Sequence, residues 1–443
     1  MPQTEHKPLP TPRAGVVSDA RSAARLAELP DDALLDAVQR QTFRFFWEGA
    51  HPASGLAPDR CSTHESSVPD KVAVGGSGFA AMAIIVAVER GWIAREAAVE
   101  RLGRMLELLM RATCYHGAFP HFLDGRTGAT IPFYRTDDGG DLVETSLLCM
   151  GLLCARQYFQ RLTPAETALR GRITALWEEV EWDWYTRGGR SVLYWHWSPN
   201  NGWAMDHEIR GWNECLITYV LAAASRRHAI DPIVYHRGFA AGRAFLNGKS
   251  YYGIELPLGV PFGGPLFFAH YSFCGLDPRG LKDRYADYWE LNRRHVAINH
   301  AHCIANPNNY AGYGAHCWGL TASDDPYGYD AHAPDCDNGT LTPTAALSSL
   351  PYAPREVIGT LRHFLVRHGE RLWGRYGFAD AFCEQAGWYA ETYLAIDQGP
   401  IVVMMENHRS GLLWKLFMSI PEIGASLRKL GFSSAQLGSP DPS

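Results

Sequence analysis

The chain has 443 residues, 46% of them hydrophobic and 20% charged, with a formal net charge of −6. That composition supplies a large core and excludes global disorder, while an acidic balance without any basic block argues against nucleic acid and anionic membranes as partners. The ten cysteines are scattered, some inside apolar runs as at Cys149 and Cys154, and read as buried small hydrophobes in a reducing compartment.

The opening stretch MPQTEHKPLPTPRAGVVSDAR is polar and proline-rich and has no apolar signal-like core, and no later run reaches spanning length. A cytoplasmic monomer is expected, with a periplasmic location the alternative. Residues 1–31 read as a flexible tail, 32–433 as one domain and 434–443 as a second tail. Apolar periodicity near 3.6 predicts helices over about 32–48, 77–91, 94–113, 141–160, 164–182, 205–227, 231–246, 279–303, 343–350, 354–369, 398–418 and 421–430. The 94–113 helix carries one stripe of Ala98, Leu102, Met105, Leu106 and Leu109, whereas 79–87 and 142–154 are apolar nearly all round. An all-α protein that alternates half-buried with fully buried helices is what two concentric helical rings require. Four segments, 114–140, 186–204, 250–278 and 305–342, are rich in Gly, Pro and aromatics, and long connections of this kind are expected to gather function at one rim.

Several motifs fail on spacing or context. Gly242 to Ser250 resembles a phosphate-binding loop but has five residues between its glycines and ends a helix, and Gly75-Gly76-Ser77-Gly78 reads as a helix cap at Ser77. His300, His302, Cys303, His316, Cys317, His332 and Cys336 do not form two matched ligand pairs, and the segment from Asp335 to Gly339 lacks the closing glutamate of a calcium loop. No metal and no organic cofactor are expected.

The stretch FYRTDDGGDLVE places Asp137, Asp138, Asp141 and Glu144 at the mouth of a predicted helix, beside Phe133 and Tyr134. Asp137, Asp141 and Glu144 stand at i, i+4 and i+7, so they share one side if the helix begins early enough. So many like charges mark a polar-ligand site or an acid/base pair with split pKa values, although Asp141-x-x-Glu144 also reads as a capping box. The 14 tryptophans gather in the irregular segments, at Trp195, Trp197, Trp203, Trp212 and Trp318. Aromatic platforms beside carboxylates suit sugar rings, whose faces are apolar and whose rims carry hydroxyls; core filling is the plain alternative. Glu214, between Trp212-Asn213 and Cys215-Leu216-Ile217, has company that should raise its pKa, unless it pairs with Arg210.

The runs LPLGVPFGGPLFFAHYSFCGLDPRGLKD from Leu256, CIANPNNYAGYGAHCWGLTASDDPYGYDAHAPDCDNGTLTPTAALSSLPYAP from Cys303 and YLAIDQGPIVVMMENHRSGLLW from Tyr393 resemble the glycoamylase-like family, glycoside hydrolase family 144, over about residues 34–431. The resemblance implies an (α/α)6 barrel, a double helical toroid with long loops and short hairpins at one rim, and a β-1,2-glucanase. It matches the family's acidic helix start to Asp137, Asp141 and Glu144, its Trp-Asn-Glu acid to Glu214, its DQGP aspartate to Asp397 and a following glutamate to Glu406. Cys383 and His408 depart from the pattern. The expected reaction is hydrolysis of β-1,2-glucan with inversion, releasing sophorose or short sophorooligosaccharides. Glu214 is the expected acid, the base is drawn from Asp141, then Asp137 and Asp397, and Glu144 orients. Tyr134, Arg135, Trp203, Trp212 and His270 are expected to hold the sugar, together with Tyr313, Trp318, Tyr327 and Glu406. The rivals are a transglycosylase and a non-catalytic glucan-binding or sensing protein.

Overall fold

A computed structural model describes residues 20–65 and 67–437. The two helices predicted to be apolar all round, Val74–Glu89 and Leu142–Tyr158, are buried along nearly their whole length and lie against each other. Glycine makes that contact possible. A Cβ on Gly78 would stand 2.2 Å from the Leu147 carbonyl oxygen, and one on Gly151 would stand 1.9 Å from that of Gly78. A third buried helix, Ala395–Arg409, packs beside them through Gly76 on Ala395 and Gly399 on Phe79, where a Cβ would meet its neighbour at 2.6 and 2.4 Å. Contacts in all three helices advance in the same chain direction, so the helices run parallel and their N-termini share one end.

Each of these helices is entered from a short strand: Lys71–Ala73, Gly140–Asp141 and Thr392–Leu394. Strand Thr392–Leu394 pairs with Arg60–Ser62, and Gly140–Asp141 pairs with His196–Trp197, so the entry points are tied to other loops. No sheet among the described residues exceeds three strands. Half-buried helices cover the outside. Asp31–Trp47 lies on Val74–Glu89 and Ala395–Arg409, Pro164–Glu178 on Leu142–Tyr158, and Pro421–Lys429 on Leu216–Ala224. Helix Arg95–Leu109 buries Ala98, Leu102, Met105, Leu106 and Leu109, the stripe that periodicity predicts.

The structure corrects several boundaries. The segment 205–227 is helical only over Leu216–Ala224, because Gly211 at φ +89° turns the chain and Trp212 donates its amide to the Ala244 carbonyl. The predicted 398–418 helix begins at Ala395 and breaks at Gly411, φ +69°, before Leu412–Met418. Ser77 is no cap: the helix starts at Val74, and the Ser77 hydroxyl donates to the Ala73 carbonyl at 2.7 Å. Within the expected N-terminal tail, Ala20–Ala27 is a helix whose Ala23 is buried, and Arg362 donates to the Leu29 carbonyl at 2.9 Å. The rest of the two expected tails, 1–19 and 438–443, lies outside the described residues. No described helix is long and apolar enough to cross a membrane.

The glycine contact has a measurable consequence. Gly151→Ala should lower stability by about 3 kcal/mol, because backbone rather than a flexible side chain must move. Gly171→Ala, where nothing lies within 4 Å of the new Cβ in an outer helix, should instead gain about 0.5–1 kcal/mol. Urea denaturation compares them directly, and equal midpoints would disprove the contact.

Candidate active site

Asp141 is the N-cap of helix Leu142–Tyr158, and all of its lone-pair capacity is directed. Its Oδ1 accepts from the amides of Val143 and Glu144, both at 2.9 Å. Its Oδ2 accepts from His121 Nδ1 and Trp195 Nε1, both at 3.1 Å. The expected capping box is only half formed. The Asp141 amide goes to the Phe119 carbonyl, and Glu144 reaches away to a neighbouring helix, where its Oε2 accepts from the Gly75 amide at 2.7 Å. Asp137 is not on the helix, as the i, i+4, i+7 spacing had suggested, but in the turn before it, where its amide donates to the Tyr134 carbonyl at 3.1 Å. The helix starts too late for a shared face. Asp138 is spent on the neighbouring loop, accepting from Ser198 Oγ at 2.5 Å and Asn200 Nδ2 at 2.7 Å.

Burial pushes Glu144 up to about 7, against the His121 charge, with Asp141 adding to the rise and the Gly75 amide opposing it. Burial pushes the Asp137 carboxyl up to about 6, the Asp141 charge adds to this and His121 opposes it. Burial likewise holds Glu214 up to about 7, opposed by its own amide and by the Cys215 thiol and aided by the charges of Asp141 and Glu144. Arg210 binds Glu208 at 2.9 Å, so the salt bridge considered for Glu214 is not formed. Burial works against a charge on His121, yet the Glu144, Asp141 and Asp137 carboxylates together raise it to about 9. It is therefore an imidazolium at neutral pH.

Asp137 has an unusual neighbour. Its Oδ1 is buried without a hydrogen-bond partner, 3.3 Å from His196 Nε2. That nitrogen already accepts from the Gly139 amide at 3.0 Å, so it carries a lone pair and the ring proton sits on Nδ1. The carboxylate of Asp137 thus faces an acceptor and has no donor.

A second acidic group comes from other segments. Asp324 binds Arg60 Nη1 at 2.9 Å and Thr392 Oγ1 at 2.5 Å, and its amide donates to Asp380 Oδ2 at 2.8 Å. Asp397 Oδ2 and Asp380 Oδ1 are buried with no donor from any other residue, and the two carboxyls bond each other. Burial and the neighbouring Asp380 push Asp397 well above the carboxylate range, so the two acids share a proton. Tyr271, buried between the groups, feels the charges of Asp397, Glu214 and Glu144. His121, Trp195, Tyr271, Arg60, Asp324 and Asp380 were not among the expected site residues. Trp195 stands among the tryptophans that gather in the irregular segments, and the Asp324-Asp325 pair and the aromatic run before Tyr271 also carry a sequence signal.

The expected sugar-binding residues divide. Tyr134 and Tyr327 are 66% and 82% exposed, Arg135 is exposed, and Trp203 lies half-buried among Trp184, Tyr185 and Tyr194. Tyr313 donates its hydroxyl to Asp337 at 2.7 Å. Four of the expected residues are buried against protein neighbours. Trp212 packs on Phe239, Phe273 and Tyr288, Trp318 lies fully buried beside His300, and buried His270 binds Ser349 Oγ at 2.9 Å. Glu406 is buried at the opposite end of its helix from Asp397, clamped by Arg90 at 2.8 and 2.9 Å. His408 is exposed at that same far end, and Cys383 is buried in strand Phe382–Cys383. All ten cysteines are unbonded; eight are buried, while Cys114 and Cys336 are exposed. His121, Asp137 and Asp141 stand close enough together to hold a cation, but His121 already spends Nδ1 on Asp141.

The Glycoamylase family model matches residues 206–421. An exo-β-1,2-glucooligosaccharide sophorohydrolase of Parabacteroides distasonis is 44% identical over 91% of the chain, and the chain spans 58% of that relative's length. The solved endo-β-1,2-glucanase of Chitinophaga pinensis, in complex with sophorotriose and glucose, is 52% identical, with 92% of this chain and 100% of that one covered and a TM-score of 0.89. A β-1,2-glucanase structure from Parabacteroides distasonis is 44% identical over 91% of this chain and 60% of that one, with a TM-score of 0.88. An endo-β-1,2-glucanase from Talaromyces funiculosus shares the fold at 9% identity, with a TM-score of 0.62 over 92% of each chain. The chain belongs to the glycoamylase-like family.

The bonds at Asp141 lead to a prediction. Asn caps a helix as well as Asp does, but its amide group would replace the oxygen that accepts from Trp195 and His121. Asp141→Asn should therefore lose about 1–3 kcal/mol, as buried donors lose their acceptor. Thermal or urea denaturation reads this loss, and wild-type stability would show that Oδ2 does not carry those bonds.

Proposed function

We propose that the protein is an inverting glycoside hydrolase of β-1,2-linked glucan, releasing sophorose or short sophorooligosaccharides, and that its paired helices close into a single-domain (α/α)6 barrel. One observation carries the chemistry: beside the shared helix N-termini, Glu214 keeps its proton up to about 7, while Asp137 is ionised above about 6 and has no donor. Inversion needs such a division, with an acid for the leaving oxygen and a base for water. The glucan named for the relatives supports the substrate.

In this reading Glu214 gives its proton to the departing glycosidic oxygen. Asp137 takes a proton from water as that water attacks the opposite face of the sugar. Asp141 does no proton transfer, since both of its oxygens are occupied; it holds the His121 imidazolium, whose charge lets several carboxylates coexist. The Asp380–Asp397 pair, holding one proton, offers both a donor and an acceptor to sugar hydroxyls. Exposed Tyr134 and Tyr327 supply ring faces for flanking glucose units.

Glu214→Gln and Asp137→Asn should each fold and lose about 100-fold or more in kcat on β-1,2-glucan. The product of wild-type enzyme should appear first as the α-anomer by NMR. Near-wild-type turnover in Glu214→Gln would sink the acid assignment. A large loss in Asp397→Asn with little loss in Asp137→Asn would move the base to Asp397.

The same two groups set the pH response. Glu214 must be protonated and Asp137 ionised, so kcat/KM should rise as pH passes about 6 and fall as it passes about 7. A plateau extending far above pH 7 would contradict Glu214 as the acid.

A further inference from the structure

Away from the carboxylates, three chain segments converge on a cluster with different chemistry. Cys317 Sγ and ring nitrogens of His363 and His368 lie within 4.8 Å of one another. The two histidines are five residues apart, which in an α-helix would set them about 140° apart around the axis. They meet because helix Pro354–His363 runs into a π-helical turn, Phe364–His368, which widens the helix and returns His368 to the face of His363. Their ring centroids are 5.6 Å apart.

His368 is 3% exposed, and its Nε2 is buried with no hydrogen-bond partner. Its other nitrogen, Nδ1, is fixed by the Tyr389 hydroxyl at 2.8 Å. An imidazole held at one nitrogen and left open at the other is how a metal-binding histidine is oriented. Glu384 Oε2 stands 3.7 Å from that open nitrogen. Gly312, at φ +85°, leaves room for it, since a Cβ there would lie 2.2 Å from the same oxygen. Without a cation, then, His368 Nε2 is a desolvated nitrogen with nothing to satisfy it.

We propose that Cys317, His363, His368 and Glu384 bind a structural Zn²⁺ ion. One thiolate, two imidazoles and a carboxylate form a borderline-soft, four-ligand set that suits tetrahedral zinc and leaves no open catalytic position. With Zn–N of about 2.0–2.1 Å and Zn–S of about 2.3 Å, the ligand atoms must stand ~3.3–3.7 Å apart, so Cys317, His363 and His368, within 4.8 Å of one another, close by side-chain shifts of about 1 Å, and Glu384, 3.7 Å from His368 Nε2, swings in to complete the set. Binding releases the Cys317 proton to solvent. The ion would staple an outer helix to the loop at Cys317 and to the hairpin of Phe382–Cys383 and Trp388–Tyr389. That hairpin begins two residues after Asp380, so the staple braces the delivery of Asp380 to Asp397 from outside the reacting centre.

Protein purified without chelator and analysed by inductively coupled plasma mass spectrometry should carry about one zinc per chain. Cys317→Ser and His368→Ala should lose most of it, while Cys336→Ser, at an exposed cysteine outside the cluster, should keep it. If these variants fold poorly, wild-type protein stripped and reconstituted with Co²⁺ gives an independent reading. A thiolate-to-cobalt charge-transfer band with tetrahedral d–d transitions is expected, and the sulfur-free cluster of His121, Asp137 and Asp141 cannot produce it. The proposal fails if wild-type protein takes up neither metal after reconstitution, if cobalt binds without that band, or if Cys317→Ser retains full zinc.

Discussion

The bond from the Gly75 amide to Glu144 Oε2, at 2.7 Å, joins the N-termini of two buried helices, and the site depends on their close approach. A Cβ on Gly75 would stand 2.7 Å from that oxygen, and glycines at 78 and 151 set the spacing of the same two helices further along. A buried carboxylate costs several kcal/mol unless it finds donors, and a helix N-terminus offers unpaired amides with a partial positive charge. Three parallel helices present such ends side by side. The tight glycine packing of the core and the tolerance of the site for acids are therefore one constraint: spreading the helices by a methyl group would move Glu144 away from its donor.

Within that setting the acids take up different states because their partners differ. Asp141 and Glu144 bind backbone amides and hold the frame, and Asp138 ties down the loop at Ser198. Asp137 keeps an oxygen without a partner, Asp380 and Asp397 answer only to each other, and Glu214 is screened from water without an arginine. Unpaired polar groups are rare in folded proteins unless they serve a ligand.

Much of this was legible in the chain. Periodicity marked nearly every helix, and the stripe on Arg95–Leu109 appears as predicted. The dense acids at 137–144 do lie at the N-terminal end of helix Leu142–Tyr158, with Asp141 as its cap. What escaped detection was set by long-range contacts. Nothing local says that Glu144 will answer to Gly75, 69 residues away, or that Trp195 will bond Asp141. Buried and ligand-facing tryptophans look alike in sequence, so nothing local shows that Trp212 and Trp318 are buried, and the shared helix of Asp397 and Glu406 conceals that they sit at opposite ends. The histidines at 363 and 368 lie one residue beyond α-helical register, and only the π-helical turn brings them together.

The short strands that enter the buried helices explain how acids from distant segments reach one place. Strands of two or three residues have little stability of their own, and each persists here because its partner is anchored elsewhere. Arg60–Ser62 pairs with Thr392–Leu394, and this brings Arg60 and Thr392 to opposite sides of Asp324. The arginine thereby sets its charge against Asp324, beside the Asp380–Asp397 pair that shares one proton. The rim hairpins thus do more than close loops: through register they set which charges face the buried acids.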